Sequence, residues 1–446
     1  MARGGALLAA ILAVMPLRPA TADDWPQWFG SQRDGVWRET GVVEKFPVGG
    51  PRVRWRAPVG GGYSGPAVAA GRVFLTDRQL AADTAAPGDP FQRAEIRGRE
   101  RVLCFNEADG TRLWEHAYPA TYTISYPAGP RATPLVSGAR VWTLGAEGQL
   151  TCLDVADGRV VWSRDLKQDY AGKAPEWGFS GHPLLDGERL ICLVGGAGTV
   201  VVAFDKDSGR ELWRGLSAKE PGYSPPTLVE VGGRRQLIVW HPEAVNGLDP
   251  VTGKVEWTFP WEIRFGLTAP QPRLSGDRLF LTAFYDGPLM LKLGETGSTP
   301  EVVWRAKKRS EKDTSGLHSI IPTPHIVDGY IYGVCSYGQL RCVRASDGER
   351  IWETFAATTG KAERWGNAFL IRHAPTGRFV LFNERGELIL ARLTPAGYEE
   401  IDRAKLVEAT GEAAGRKVVW TCPAFAQRSV YVRNDRELAC FSLAAE

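Results

Sequence analysis

The chain lacks the short signatures that would announce a chemistry. It contains no His-x-x-x-His and no Cys-x-x-Cys, so the usual local spacings for a zinc site are missing. No Gly-x-Ser-x-Gly elbow occurs, which leaves no sign of an activated serine of that type. Gly195-Gly-Ala-Gly198 is rich in glycine but falls at a strand tip with no helix after it, and so does not read as a phosphate cradle. Carboxylates are numerous, yet nothing in their spacing singles out an acid and base pair. An excess of one charge is missing too. Without the first 22 residues, 52 Lys and Arg stand against 51 Asp and Glu, and the basic run Lys307-Lys-Arg309 is offset by Glu311 and Asp313. Neither nucleic acid nor an anionic membrane is implied as a partner. Helix-period segments are scarce, which turns attention to strands.

What the chain has is a repeat. Asp154-Val-Ala-Asp-Gly-Arg-Val-Val-Trp162 has counterparts at Asn106 to Trp114, Asp205 to Trp213, Asp249 to Trp257 and Arg344 to Trp352. In each, a glycine (Gly110, Gly158, Gly209, Gly253, Gly348) precedes a tryptophan by four residues. The unit reads as a hairpin, with the glycine supplying the positive φ of a tight turn and the tryptophan lying on the second strand. A ring that large, returning at one register, is expected to wedge each repeat against the next.

Counting unit ends gives Trp114, Trp162, Trp213, Trp257, Trp304, Trp352, Ile401 in place of a tryptophan, and a last unit ending at Trp55. Val53 to Val59 looks like the final strand of a unit whose earlier strands stand at the far end, in Ser429 to Leu443. If the two join, the array closes and its exposed sheet edges vanish. The expected fold is an all-β, eight-bladed propeller of four-stranded antiparallel blades over 53–446, seven blades with one irregular excursion being the alternative. The stretch 23–52, with Trp25, Trp28 and Trp37 and no strand period, is expected as a strap across one face of the ring.

In such blades the links from strand two to three and from one blade to the next emerge on one face, and the Asp-Gly turns on the other. The long insertions Asp77 to Glu100, Glu115 to Arg131, Lys167 to His182 and Ala306 to Pro322 all fall on the first face. Loops of that length are commonly functional or disordered. They bring Tyr63, Tyr126, Arg131, Trp177, His182, Tyr223, His318, Arg364, Trp365 and Asn367 toward the mouth of the central channel, a set suited to a small polar or planar ligand, the alternative being that they close the channel and pin the loops.

Residues 1–22 carry Arg3, a short apolar stretch from Gly4 to Met15 and Ala20-Thr21-Ala22, the pattern of a cleavable leader that is too short to span a bilayer. A periplasmic or secreted protein without a transmembrane segment is expected. No cysteine precedes Cys104, which leaves no residue for an amino-terminal lipid. Export permits disulfides, but Cys104, Cys152, Cys342 and Cys440 occupy one slot of successive repeats, too far apart to pair. Cys335 and Cys342, on one hairpin, are the pair to expect if any forms.

The repeated Leu-x-Ala/Cys-x-Asp-x-x-x-Gly-x-x-x-Trp pattern resembles the tryptophan-docked blades of PQQ-binding-like, quinoprotein-type propellers, and Trp25-Pro-Gln-Trp28 with Arg33-Asp34-Gly35 is similar to exported bacterial members. The resemblance runs from Trp25 to the carboxyl terminus. It implies either a non-catalytic scaffold, as in the outer-membrane assembly lipoprotein of this superfamily, or a PQQ-dependent dehydrogenase of alcohols or sugars that holds its quinone with calcium. The adjacent cysteines and the Cys-x-x-Cys-His haem segment of the dehydrogenases have no counterpart here. The expectation is therefore an exported binding or scaffold module, a monomer with no cofactor, whose loop-rich face takes an envelope protein or a small polar ligand.

Overall fold

The computed structural model describes residue 1 and residues 23–294, 297–308 and 310–445; all but the first residue of the expected leader lies outside them. Among the described residues there are eight sheets of four antiparallel strands, one of which gains a fifth strand, and a separate two-stranded hairpin. The sheets follow one another around a ring. Blade 1 spans residues 67–119, blade 2 135–165, blade 3 184–215, blade 4 227–260, blade 5 273–305, blade 6 325–354 and blade 7 368–405. Blade 8 takes Ala424–Ala426, Ser429–Arg433 and Glu437–Ser442 from one end of the chain and Val53–Pro58 from the other. Trp55 pairs with Cys440 and Val53 with Phe441, so the ring closes as the sequence indicates.

Tryptophan docking follows from the register. In blade 2 the outer strand skips Val161 in a bulge, which sets Trp162 opposite Cys152 and turns its ring toward the next blade. The indole N–H of Trp55 donates to the carbonyl of Glu107, that of Trp114 to Val155, Trp162 to Lys206, Trp304 to Ala345 and Trp352 to Thr394, each at 2.8 to 3.0 Å. In each case the acceptor stands three residues before the turn glycine of the following blade. Trp257 donates to Gln236 instead, because blade 5 replaces the tight turn with the longer link after Lys292.

Blade 7 corrects the reading of Ile401. That residue is the one skipped in the bulge, and Asp402 stands opposite Leu390 where the other blades carry tryptophan. The reason lies in the neighbour. Blade 8 is assembled from both chain ends and has no continuous turn for a ring to dock on; instead Asp402 accepts the backbone N–H of Phe46, at 2.7 Å.

The segment 23–52 does more than cross a face. Trp25 exchanges backbone hydrogen bonds with Val68 of blade 1, Val136 of blade 2 donates to Pro26, Arg33 donates to Pro183 beside blade 3, and Arg273 of blade 5 donates to Asp34. Val36–Trp37, expected to have no strand character, pairs in parallel with Arg372 and His373 as the fifth strand of blade 7. Glu39 then accepts the backbone N–H of Arg428 in blade 8. The strap thus threads the channel from the side of the Asp-Gly turns. Its tryptophans are buried as expected, Trp25 at 3%, Trp28 at 9% and Trp37 at 2% exposure.

The insertion in blade 1 is shorter than it reads, because Arg72–Leu80 and Gly98–Asn106 pair along their whole length and leave only residues 81–97 as a link. The link before blade 3 opens with a helical turn, Leu166–Asp169, capped by Asp165. All seven cysteines are buried and free, Cys335 and Cys342 included. Among the described residues no helix is long and apolar enough to cross a membrane.

Candidate functional site

A cavity of about 930 Å³ occupies the centre of the ring. Its floor is the strap, through Trp28 and Phe29, and Phe369 comes from an inner strand; the remaining wall comes from inter-blade links and from the tips between strands two and three. Insertions and cavity therefore share one face, and the Asp-Gly turns lie on the other. Eight of the ten residues expected at the channel mouth line it: Tyr63, Tyr126, Arg131, Trp177, His182, Tyr223, Arg364 and Trp365.

His318 and Asn367 do not. His318 is fully buried behind the wall, its ring nitrogens bonded to the carbonyls of Phe284 and Ser315, and burial lowers its pKa to about 4. Asn367 is 1% exposed and turned into the protein. Both sit in links of the expected face, but spacing alone does not tell a residue that lines a mouth from one that anchors the loop.

Several lining residues were not expected. Phe91 and Tyr285 come from blade tips, Phe265 and Glu262 from the link before blade 5, Trp420 from the link before blade 8 and Glu220 from the link before blade 4. Blade tips were assigned to this face, so Phe91 and Tyr285 had a signal; Trp28 and Phe29 had none, since nothing in the repeat says that the strap enters the channel.

Aromatic rings dominate the wall on the side of blades 7, 8 and 1. Tyr126 stacks on Trp420 with ring centroids 6.0 Å apart and meets Phe91 edge-on at 5.1 Å, while Trp365 lies 5.7 Å from Phe91. Arg364 lies over Trp365 at 4.6 Å and pairs with Glu311 at 2.8 Å. Arg131 lies over Tyr63 at 5.1 Å and donates to the carbonyls of Ser125 and Tyr126. Burial pushes the Tyr126 phenol up to about 12, so it stays protonated. At the floor, His182 stacks on Trp28 at 4.6 Å and accepts the N–H of Thr133. Burial, with the nearby charge of Arg33, holds that imidazole well below its ordinary pKa and therefore neutral.

Three aromatic residues of the wall hold left-handed backbone, Tyr126 at φ 53°, Phe265 at 57° and Trp365 at 63°. Such a conformation costs a bulky residue roughly 1–2 kcal/mol. Ring placement at the mouth is kept against that cost.

A calcium-held quinone would need a cage of oxygen ligands. Among the described residues no three His, Cys, Asp or Glu side chains gather closely enough to hold a metal, and no two cysteines are adjacent in sequence.

Residues 98–258 and 196–444 match the family described as outer membrane protein assembly factor BamB. The chain belongs to this family. Curated relatives include the assembly factor BamB of Burkholderia pseudomallei, 25% identical over 256 residues that make up 54% of this chain and 61% of that protein, and BamB of Yersinia pestis, 23% identical over 260 residues, 56% and 62%. The match thus spans about three fifths of the length of these relatives. Among solved structures, BamB from Moraxella catarrhalis superposes with a TM-score of 0.50 at 14% identity, covering 84% of this chain and 98% of that one. The computationally designed Ika8 protein gives 0.55 at 11% identity, with 88% and 99% covered. These likenesses establish the propeller fold and leave the site to be read from its own residues.

Proposed function

We propose that the protein is an envelope scaffold that binds another envelope protein through its loop-rich face, without a cofactor and without catalysis. The observation that carries this reading is the cavity itself, floored by the strap and ringed by aromatic side chains from loops on one face only. Aromatic residues held at a concave mouth are binding surface of high yield per residue. The leader-like residues 1–22 and the printed role of the BamB relatives in outer membrane protein assembly support an envelope setting.

Site-specific photo-crosslinking in the native host tests it. A photoreactive residue at Phe265, 68% exposed on the cavity rim, should capture a discrete partner, whereas one at Val251, 52% exposed in an Asp-Gly turn, should not. The same adduct from both positions, or from Val251 alone, would remove the loop-rich face as the binding surface. The double variant Trp177→Ala/Trp365→Ala should lose the Phe265 adduct while its Tm stays within a few degrees of the parent.

A further inference from the structure

The first nitrogen after the expected leader lies against a buried carboxylate. Ala20-Thr21-Ala22 ends the leader pattern, and the backbone nitrogen of Asp23 donates to Oε1 of Glu39 at 3.2 Å. Glu39 is 6% exposed. Its carboxylate also accepts the indole N–H of Trp37 at 2.8 Å and the backbone N–H of Arg428 at 3.0 and 3.1 Å. Those donors are neutral, and the Arg428 guanidinium lies instead beside Gly41. Among the described residues no Lys, Arg or His side chain pairs with the Glu39 carboxylate. Withdrawing a carboxylate from water without an opposite charge is costly. Of its three donors only the Asp23 nitrogen can become a cation, through loss of the residues before it.

The same contact closes a loop of chain. Asp24 accepts the backbone N–H of Ala70 at 3.1 Å and Trp25 exchanges hydrogen bonds with Val68, which fixes the start of the strap on blade 1. Val36–Trp37 fixes its return on blade 7. Both ends meet on one ring of blade 8, Trp25 edge-on to Phe425 at 5.8 Å and Trp37 at 5.1 Å. Trp28 and Phe29, the cavity floor, are carried by the loop between them. Asp23 and Glu39 stand where that loop is drawn together, so what joins them also holds the floor.

We propose that removal of residues 1–22 converts the Asp23 nitrogen into an ammonium group whose ion pair with Glu39 clasps the strap, so that the cavity floor is locked fully in place in the processed chain. The step is hydrolysis by a leader peptidase. The amide bond between Ala22 and Asp23 breaks, and water gives its hydroxyl to the Ala22 carbonyl carbon and a proton to the Asp23 nitrogen. The new acid then passes its proton to the new amine, leaving a carboxylate and an ammonium group. A free α-amino group titrates near ~8 and a carboxylate beside it favours the charged form, so the charge is present at neutral pH. The clasp is independent of what the loop-rich face binds.

Hydrogen exchange read by mass spectrometry tests the clasp. The processed chain beginning at Asp23 is compared with a form in which Gly-Ser-Gly-Ser precedes Asp23; the extension keeps the amide N–H and moves the charge away. Peptides covering residues 24–37 should exchange about threefold faster or more in the extended form, the effect of a partly exposed ion pair. Peptides of blade 4, residues 227–260, should not differ. Glu39→Gln should speed exchange of 24–37 more in the processed chain than in the extended form, since only the former loses an ion pair. Amino-terminal sequencing of the protein recovered from its native host should read Asp23-Asp-Trp25. Equal exchange in the two forms, an equal effect of Glu39→Gln on both, or a first residue other than Asp23 would each overturn the proposal. The extended form retains every native side chain, so its result stands even where Glu39→Gln folds poorly. Failure here would leave the Phe265 adduct, and with it the scaffold reading, untouched.

Discussion

The indole of Trp55 lies over Gly110 of blade 1, so close that a methyl group added to that glycine would stand 2.6 Å from the ring carbons. Trp55 enters from the amino-terminal side, pairs with Cys440 near the carboxyl terminus, and bonds the carbonyl of Glu107 at 2.8 Å. One side chain therefore couples both ends of the chain to the first blade. Gly110→Ala should lose stability through an overpacking cost of roughly 1–3 kcal/mol as well as a left-handed backbone cost of roughly 1–2 kcal/mol. Gly138→Ala, at φ 57° with open space around it, should lose only the second. Urea unfolding of the two variants measures the difference; equal losses would show that the ring does not press on the turn.

Phe265 gives the opposite sign. It is 68% exposed and left-handed, so its ring contributes little burial while its backbone stores strain. Phe265→Gly should raise stability by about 1 kcal/mol in urea unfolding. A destabilised variant would contradict the account of the rim as strained.

The fold was largely legible in the sequence because it is written several times over. Five Gly-to-Trp copies state the turn and the docking ring, and the orphan strand at Val53 to Val59 states the closure. Ile401 was misread by one position because a bulge changes which residue faces the neighbour, and alternation alone does not locate the bulge. Trp28 and Phe29 at the floor were not legible at all, since the strap is written only once and its path depends on contacts with blades up to 389 residues away. His318 and Asn367 failed for another reason. Polar residues in loops read alike whether they face a ligand or satisfy their own backbone, and His318 does the latter.

Buried histidines set an acid limit on stability. His325 is 2% exposed, and burial, helped by the charge of Arg273, lowers its pKa to about 3; His318 is lowered to about 4. In the unfolded chain both return to about 6.5. Between those values the unfolded state binds protons that the folded state refuses, so the contribution is complete above pH ~6.5 and declines as pH falls toward the folded values, by up to about 1.4 kcal/mol per pH unit for each histidine. Chemical denaturation between pH 7 and pH 4.5 should show this loss, and His325→Gln should flatten it. A slope unchanged in the variant would exclude His325 as a source.

The thiols offer a direct check of the core. Cys104 and Cys152 are pushed up to about 12, and Cys342 and Cys440 to about 11, in each case by burial. Low thiolate content and lack of access both slow modification. The native protein should give no fast reaction with a thiol reagent at pH 8, and seven equivalents after denaturation without reductant. Fewer than seven would reveal a disulfide that this packing does not contain.

Because Trp28 and Phe29 seal the central hole from below, the ring is a cup and not a tunnel. Anything that enters must leave by the opening it came through, and two molecules cannot queue through it in single file. On the binding reading proposed above, a client would be gripped from one side only, leaving the opposite face free for a second contact.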